Sequence, residues 1–165
     1  MRVFCGTDIV HIHRIEKAVI RQGERFLKRV YTAREIALCT SEGQYRIPSL
    51  AARFAGKEAI AKALGTGVGP LNISWTDLEI LGEDSGAPTA ILHDAARERF
   101  TSLGGISLAV SLAHEQDIAQ AFCVILSASD SMPFDVPTSN SISTSNSIST
   151  STSASDAVSA SSDVT

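Results

Sequence analysis

The sequence predicts an α+β domain in which a mainly antiparallel sheet is packed with helices. Three observations predict it. The chain opens on a β-branched run, "RVFCGTDIVHI" (2–12), and near its end two alternating runs, "ISLAVSLAH" (106–114) and "IAQAFCVIL" (118–126), stand at the spacing of a hairpin. Between them lie helical segments with start and stop signals. Helices and strands do not alternate in the strict rhythm that a parallel sheet requires.

Each element has its own signal. The opening strand contains Gly6, which is expected to cut it. "HRIEKAVIRQ" (13–22) reads as a helix ending before Gly23, and "ERFLKRV" as a second short helix. "TARE" (32–35) is a capping box with Thr32 as N-cap and Glu35 at N3, so another helix starts there. Pro48 suits the first turn of the next helix, which runs to Leu64 and stops at Gly65. "WTDLEIL" (75–81) and "PTAILH" (88–93) alternate like strands joined by the turn-rich "GEDSGA", and "DAARERFTSLG" (94–104) is helical.

The chain has 165 residues, 44% of them hydrophobic, enough for one domain with a core. No apolar run approaches the roughly 20 residues that span a bilayer. The N-terminus soon meets Asp8, unlike a signal peptide. Cys5, Cys39 and Cys123 have no metal-type spacing and are expected to be reduced, mostly buried thiols of a cytoplasmic protein. From Ser127 to Thr165, 20 of 39 residues are Ser or Thr, and "SNSIST" occurs twice in succession. Such a segment buries too little apolar surface to offset its ordering entropy. The sequence therefore divides into a globular part, 1–126, and a tail, 127–165, expected to be disordered.

Charge is segregated. Residues 1–62 carry 12 basic and 6 acidic residues, a net of +6, whereas 63–126 carry 2 basic and 8 acidic, a net of −6.

The stretch "FAGKEAIAKALGTG" (54–67) poses the chemical question. It reads as a helix buried nearly all round, yet it holds Lys57, Glu58 and Lys62. Glu58 and Lys62 share a face at i,i+4, and a self-contained surface pair is one reading. Asp8 shifts the balance, because it lies on the core-facing side of the first strand with Val10 and Ile12, opposite Ile9, His11 and His13. Two carboxylates, Asp8 and Glu58, beside Lys62 would make a Mg²⁺ and phosphate site. "GTGVG" (65–69) would bring backbone N–H groups to an anion, or is simply a helix C-cap and turn. It lacks the pattern of a nucleotide-binding P-loop. His11 and His13 are a conceivable metal pair but read better as a surface strand end.

"GTDIVHIHRI", "RFAGKEAIAKALGTG" and "SLAHEQDIAQAFCVI" together resemble the holo-acyl-carrier-protein synthase family, 4′-phosphopantetheinyl transferases that prime fatty-acid synthesis. The resemblance runs from about Arg2 to Leu126 and leaves the tail uncovered. His11 and His13 stand where the family often has acids, Ala113 where it often has Ser, and Ala87 within a turn that is often Gly-Lys-Pro. The resemblance implies a transferase-like α+β fold, a homotrimer with active sites between subunits, and coenzyme A as co-substrate. It implies that Asp8 and Glu58 ligate Mg²⁺, that Lys62 contacts the coenzyme A phosphates, and that Arg53, Gly65 and His114 lie around the same cofactor. The implied reaction moves the 4′-phosphopantetheine arm to a serine of acyl carrier protein by attack at the β-phosphorus, releasing adenosine 3′,5′-bisphosphate. Glu58 and Lys62 are the expected catalytic residues, Lys62 as charge stabiliser and Glu58 as acceptor of the serine proton, directly or through a metal-bound water; a water polarised by the metal alone is the other candidate base.

Acyl carrier proteins are acidic, and Arg14, Lys17, Arg21, Arg25 and Lys28 are spaced 3, 4, 4 and 3, a single face if the helix continues through Gly23. This face is the expected docking surface. Nucleic acid is disfavoured as partner, since Trp75 is the only Trp. Two further readings of the raw chemistry stay open: a Mg²⁺-dependent phosphohydrolase, and a small RNA- or protein-binding module in which Asp8 and Glu58 pair with lysines.

Overall fold

The computed structural model describes residues 1–82 and 86–128. Strand β1 (Arg2–His11) pairs antiparallel with β7 (Ile118–Ser127), which pairs antiparallel with β6 (Gly105–Glu115), giving a three-stranded sheet in the order β1-β7-β6. β6 and β7 form the expected hairpin. Two small antiparallel ladders complete the strands: β2 (Thr40–Ser41) with β3 (Gln44–Tyr45), and β4 (Leu78–Gly82) with β5 (Pro88–Leu92). The helices are α1 (Ile12–Gln22), α2 (Glu24–Val30), α3 (Ala33–Leu38), α4 (Ile47–Ala63) and α5 (Asp94–Ser102). The architecture is the α+β, mainly antiparallel arrangement the sequence predicts.

One face of the sheet carries α4, and the core lies between them. Leu50, Ala55, Ala59 and Ile60 of α4 and Ala119, Ala121, Cys123 and Ile125 of β7 are buried. Each large side chain closed in this way contributes roughly 1.5–3 kcal/mol. The opposite face carries apolar side chains in the open: Val3 is 65% exposed, Ile9 60% and Phe122 47%.

Gly6 does not cut β1. A Cβ there would lie 2.0 Å from the Ala59 carbonyl oxygen and 2.7 Å from the Ala63 nitrogen, so glycine is what lets α4 lie directly on the strand. β1 stops at His11, and Ile12 and His13 open α1 instead of extending the strand, with the Ile12 N–H donating to the Asp117 carbonyl at 2.7 Å. Trp75 and Thr76 are not strand residues either: Trp75–Asp77 form one 3₁₀ turn closed by a Ser74–Asp77 capping box, and the strand begins at Leu78. Cys39 and Cys123 are buried, but Cys5 points out of the sheet and is exposed, because odd positions of β1 face away from α4. Ser127, the first residue of the segment read as a tail, belongs to β7; it is buried, and its hydroxyl donates to the Leu103 carbonyl. The rest of that segment beyond Ala128, and Glu83, Asp84 and Ser85 of the expected turn, lie outside the described residues.

Candidate active site

α4 is buried around most of its circumference because its surface is small. Ala51, Ala52, Ala55, Gly56, Ala59, Ala61 and Ala63 let strands approach on several sides, and a Cβ on Gly56 would meet Ile80 Cδ1 at 2.4 Å. Of its four charged residues, Lys57, Glu58 and Lys62 meet three different surroundings, and Arg53 a fourth.

Lys57 is fully buried. Its ammonium donates to Glu35 Oε2, the Trp75 carbonyl and the Leu78 carbonyl, each at 2.8 Å. Burial pushes the ammonium pKa down, and Glu35 partly opposes that. Glu35 is equally buried and holds the expected capping box with Thr32. It also accepts from the Ile80 N–H at 2.9 Å. Sequence reasoning assigned no role to Lys57. The readable signal was a lysine on a helix with no open face, together with a capping glutamate free to turn inward.

Lys62 reaches across to β1. Its ammonium lies 2.8 Å from Asp8 Oδ1 and 2.8 Å from the Thr7 carbonyl. The surface pair with Glu58 that the sequence left open as one reading does not form; Glu58 has no hydrogen-bond or ion-pair partner among the described residues. Burial lifts the Glu58 carboxyl above its usual range, the charge of Asp8 lifts it further, and Lys62 opposes both. Asp8, Glu58 and Lys62 are thus gathered where β1 crosses the second half of α4. Among the described residues no group of three or more His, Cys, Asp or Glu could hold a metal. The protein would supply at most these two carboxylates, a donor set that suits a hard divalent ion completing its shell with water and phosphate oxygens.

Arg53 and His114 meet elsewhere. With Ser49, Pro88 and Leu112 they line a cleft of about 190 Å³ beside the first half of α4. The Arg53 side chain is anchored by Nε–H donation to the Ile80 carbonyl at 3.0 Å. Arg53 and Glu58 are five residues apart, about 140° around the helix. Gly65 does not line that cleft; it follows α4 beside Lys62, whose carbonyl accepts the Gly65 N–H at 3.0 Å. The "GTGVG" turn does not offer its first three N–H groups to an anion. Thr66 and Gly67 both donate to the Ala61 carbonyl at 3.2 Å, so the segment is a helix C-cap.

Arg14, Lys17, Arg21 and Arg25 are all exposed. They do not form one continuous helical face: Gly23 (φ 55°, ψ −136°) ends α1 and starts α2, so Arg25 and Lys28 belong to a separate helix. Lys28 is also engaged by Glu24 at 2.6 Å. The apolar side of these helices, Ile15, Phe26 and Leu27, is buried. His11 stands at the end of β1, 3.5 Å from Asp117, with His13 on the following helix.

The chain belongs to the 4′-phosphopantetheinyl transferase superfamily, whose family model matches residues 4–123. Its enzyme class is holo-[acyl-carrier-protein] synthase. It is 41% identical over 125 residues to the holo-[acyl-carrier-protein] synthase of Ruminiclostridium cellulolyticum, covering 76% of this chain and 92% of that one. It is 43% identical over 120 residues to that of Shewanella amazonensis, covering 73% and 94%. Among solved structures, the Helicobacter pylori holo-[acyl-carrier-protein] synthase in complex with coenzyme A superposes with a TM-score of 0.65 at 36% identity, over 74% of this chain and 99% of that one.

Proposed function

We propose that this enzyme transfers the 4′-phosphopantetheine arm of coenzyme A to a serine of apo acyl carrier protein, with Mg²⁺, in fatty acid biosynthesis. The observation that carries the reading is the convergence of Asp8, Glu58 and Lys62 on one spot, with Glu58 left unpaired among the described residues. The coenzyme A bound in the Helicobacter pylori relative supports the choice of substrate.

In this reading Asp8 and Glu58 would hold Mg²⁺, which when bound neutralises pyrophosphate charge and polarises the β-phosphorus. Glu58 accepts the proton of the carrier's serine hydroxyl as its oxygen bonds to the β-phosphorus. The bond to the bridging oxygen breaks, and adenosine 3′,5′-bisphosphate leaves with the electron pair. Lys62 has a third N–H beyond its two present acceptors, and directs it at the charge that develops on the phosphate oxygens.

Arg53 and His114 sit on a different side of α4 from this trio. A homotrimer with active sites between subunits accounts for that division, one copy supplying the acids and a neighbour supplying the cleft. The exposed Val3, Ile9 and Phe122 favour such an assembly, since large open apolar patches mark association sites. Arg14, Lys17, Arg21 and Arg25 would dock the acidic carrier. No described helix is long and apolar enough to cross a membrane, and the three free cysteines suit the reducing cytoplasm we assign to it.

The test is to incubate the protein with coenzyme A, Mg²⁺ and apo carrier and to weigh the carrier. A gain of one phosphopantetheine arm is expected. Release of inorganic phosphate without that gain would make the protein a phosphohydrolase; no turnover of any phosphate ester would make it a binding module.

A further inference from the structure

The geometry points to Lys57 as a positioning residue: its buried ammonium sets the rotation of α4 about its own axis and so aims Glu58 and Lys62 at Asp8. This rests on the proposed metal site above.

The need for such a device follows from the composition of α4. A helix with one apolar stripe is oriented by burying that stripe. α4 buries residues around most of its circumference, and most of that surface is Ala or Gly, which interlocks weakly with its neighbours. Apolar burial changes little when such a helix turns. Hydrogen bonds are directional, and Lys57 makes three, one to each of Glu35 Oε2, Trp75 O and Leu78 O, all at 2.8 Å. Those acceptors are themselves fixed. Glu35 is pinned by the backbone N–H groups of Thr32 and Ile80, and the Trp75 and Leu78 carbonyls belong to the first residue of the capped turn and the first residue of β4.

The lever arm matters. Successive residues are about 100° apart, so Glu58 stands about 100° and Lys62 about 140° around from Lys57. A carboxylate carried roughly 6 Å from the axis moves about 2 Å for a turn of 20°. Displacements of that size remove a ligand from a metal or a proton acceptor from its donor. Gly6 controls how close α4 comes to β1, but its missing side chain cannot set rotation. Lys57 is the fully buried charge on the helix and, among the described residues, the one side chain of α4 with three hydrogen bonds to other elements, against one for Arg53 and two for Lys62.

Three variants test this: Lys57→Met, the double Glu35→Gln/Lys57→Met, and Glu35→Gln alone. Thermal unfolding, Mn²⁺ affinity by electron paramagnetic resonance, and kcat and KM for arm transfer are measured on each. Lys57→Met leaves Glu35 charged and buried, so it is expected to melt lower; the double variant removes that charge and should recover much of the loss. Both should bind Mn²⁺ at least tenfold more weakly than wild type and lose at least tenfold in kcat with KM for coenzyme A nearly unchanged. Glu35→Gln keeps three acceptors for Lys57 but turns an amide nitrogen toward one of the two backbone N–H groups that pin Glu35, so it should melt lower than wild type yet keep Mn²⁺ affinity closer to wild type than Lys57→Met does. A stabilised double variant with wild-type Mn²⁺ affinity and kcat would reduce Lys57 to a structural role and overturn the inference. So would a double variant that cannot fold, because the inference requires that the core close without the clamp. Failure of the metal site itself would look different: wild type without Mn²⁺ binding, or Glu58→Ala binding as wild type does. The clamp would then be judged on kcat alone, and a folded Lys57→Met with wild-type kcat would sink it.

Discussion

The Lys62 ammonium lies 2.8 Å from Asp8 Oδ1, tying the last turns of α4 to β1 across 54 residues of chain. Lys62 is half-exposed while Asp8 is largely covered, so the lysine closes the solvent side of the acid. Glu58, one turn earlier, stands beside them without a hydrogen-bond or ion-pair partner among the described residues.

From this arrangement, removing either acid should stop Mg²⁺-dependent transfer. Asp8→Ala and Glu58→Ala are expected to fold, since neither carboxylate completes a buried network, and to lose activity to background. Lys62→Ala should raise the barrier by about 3–4 kcal/mol, a drop in kcat of about 10²–10³. Circular dichroism with steady-state kinetics checks this. Near-normal turnover in both acid variants would remove the metal assignment.

Gly6→Ala tests how closely the two elements must approach. The added methyl would meet the Ala59 carbonyl at 2.0 Å, and backbone cannot give way as a side chain can. A loss of about 3 kcal/mol or more in unfolding free energy is expected, with activity falling as Asp8 is pushed from α4. Gly23→Ala is the contrast. Nothing lies within 4 Å of its Cβ position, but φ is +55° with extended ψ, so the loss should be about 1–3 kcal/mol from backbone strain alone. Equal losses would mean that space at Gly6 is not the issue.

If the carrier docks on the basic surface, kcat/KM for the carrier should fall steeply with ionic strength while KM for coenzyme A stays flat. The double variant Arg14→Glu/Arg21→Glu should lose at least tenfold at low salt, with the gap to wild type shrinking at high salt. A rate indifferent to salt would move the docking site elsewhere.

Glu79 supplies a pH signature of stability. Its side chain is almost fully buried; burial raises the carboxyl pKa, but hydrogen bonds from Thr32 Oγ1 at 2.6 Å and His93, and the charge of Arg34, outweigh that and hold it below the usual 4.5. A depressed folded pKa means the unfolded chain binds the proton more tightly. The stability it contributes is therefore present above pH 4.5 and lost as pH falls through the lower folded value. Glu79→Gln should cost about 1–3 kcal/mol at pH 7, and the difference from wild type should close at acid pH. A gap that does not change with pH would show that packing, not charge, is lost.

Much of this molecule was legible in its sequence, for physical reasons that also explain the rest. The capping box at Thr32 and the Gly23 and Gly65 helix ends are local chemistry, readable within four residues. The inward side of Asp8 follows from strand alternation alone. Trp75 misled because a Ser-x-x-Asp turn followed by a strand mimics continuous alternation. Gly6 misled because a glycine that permits close approach looks, in sequence, like one that breaks a strand. Lys57 escaped notice because its partners, Glu35, Trp75 and Leu78, lie 18 to 22 residues away and two of them are backbone carbonyls. The division between Asp8, Glu58 and Lys62 on one side of α4 and Arg53 and His114 on another needs three-dimensional placement.

The outer face of the sheet tests the assembly. Val3, Cys5, Ile9 and Phe122 stand on that face, and Cys5 is the exposed thiol of the three, while burial pushes the Cys123 thiol up to about 12. In a trimer closed over this face Cys5 would be covered, so the native protein should show no fast thiol with a disulfide reagent at neutral pH. Phe122→Glu places a charge where three copies would meet; it should shift the sedimentation mass to that of one chain and release one fast-reacting thiol per chain. Cys5→Ser in that background should abolish the fast phase, which assigns it. Because Arg53 and His114 would then be separated from the neighbour's acids, transfer should fall together with the assembly, although Phe122 touches neither group. A native protein that sediments as one chain, reacts quickly at Cys5 and still turns over would mean that each copy completes its own site.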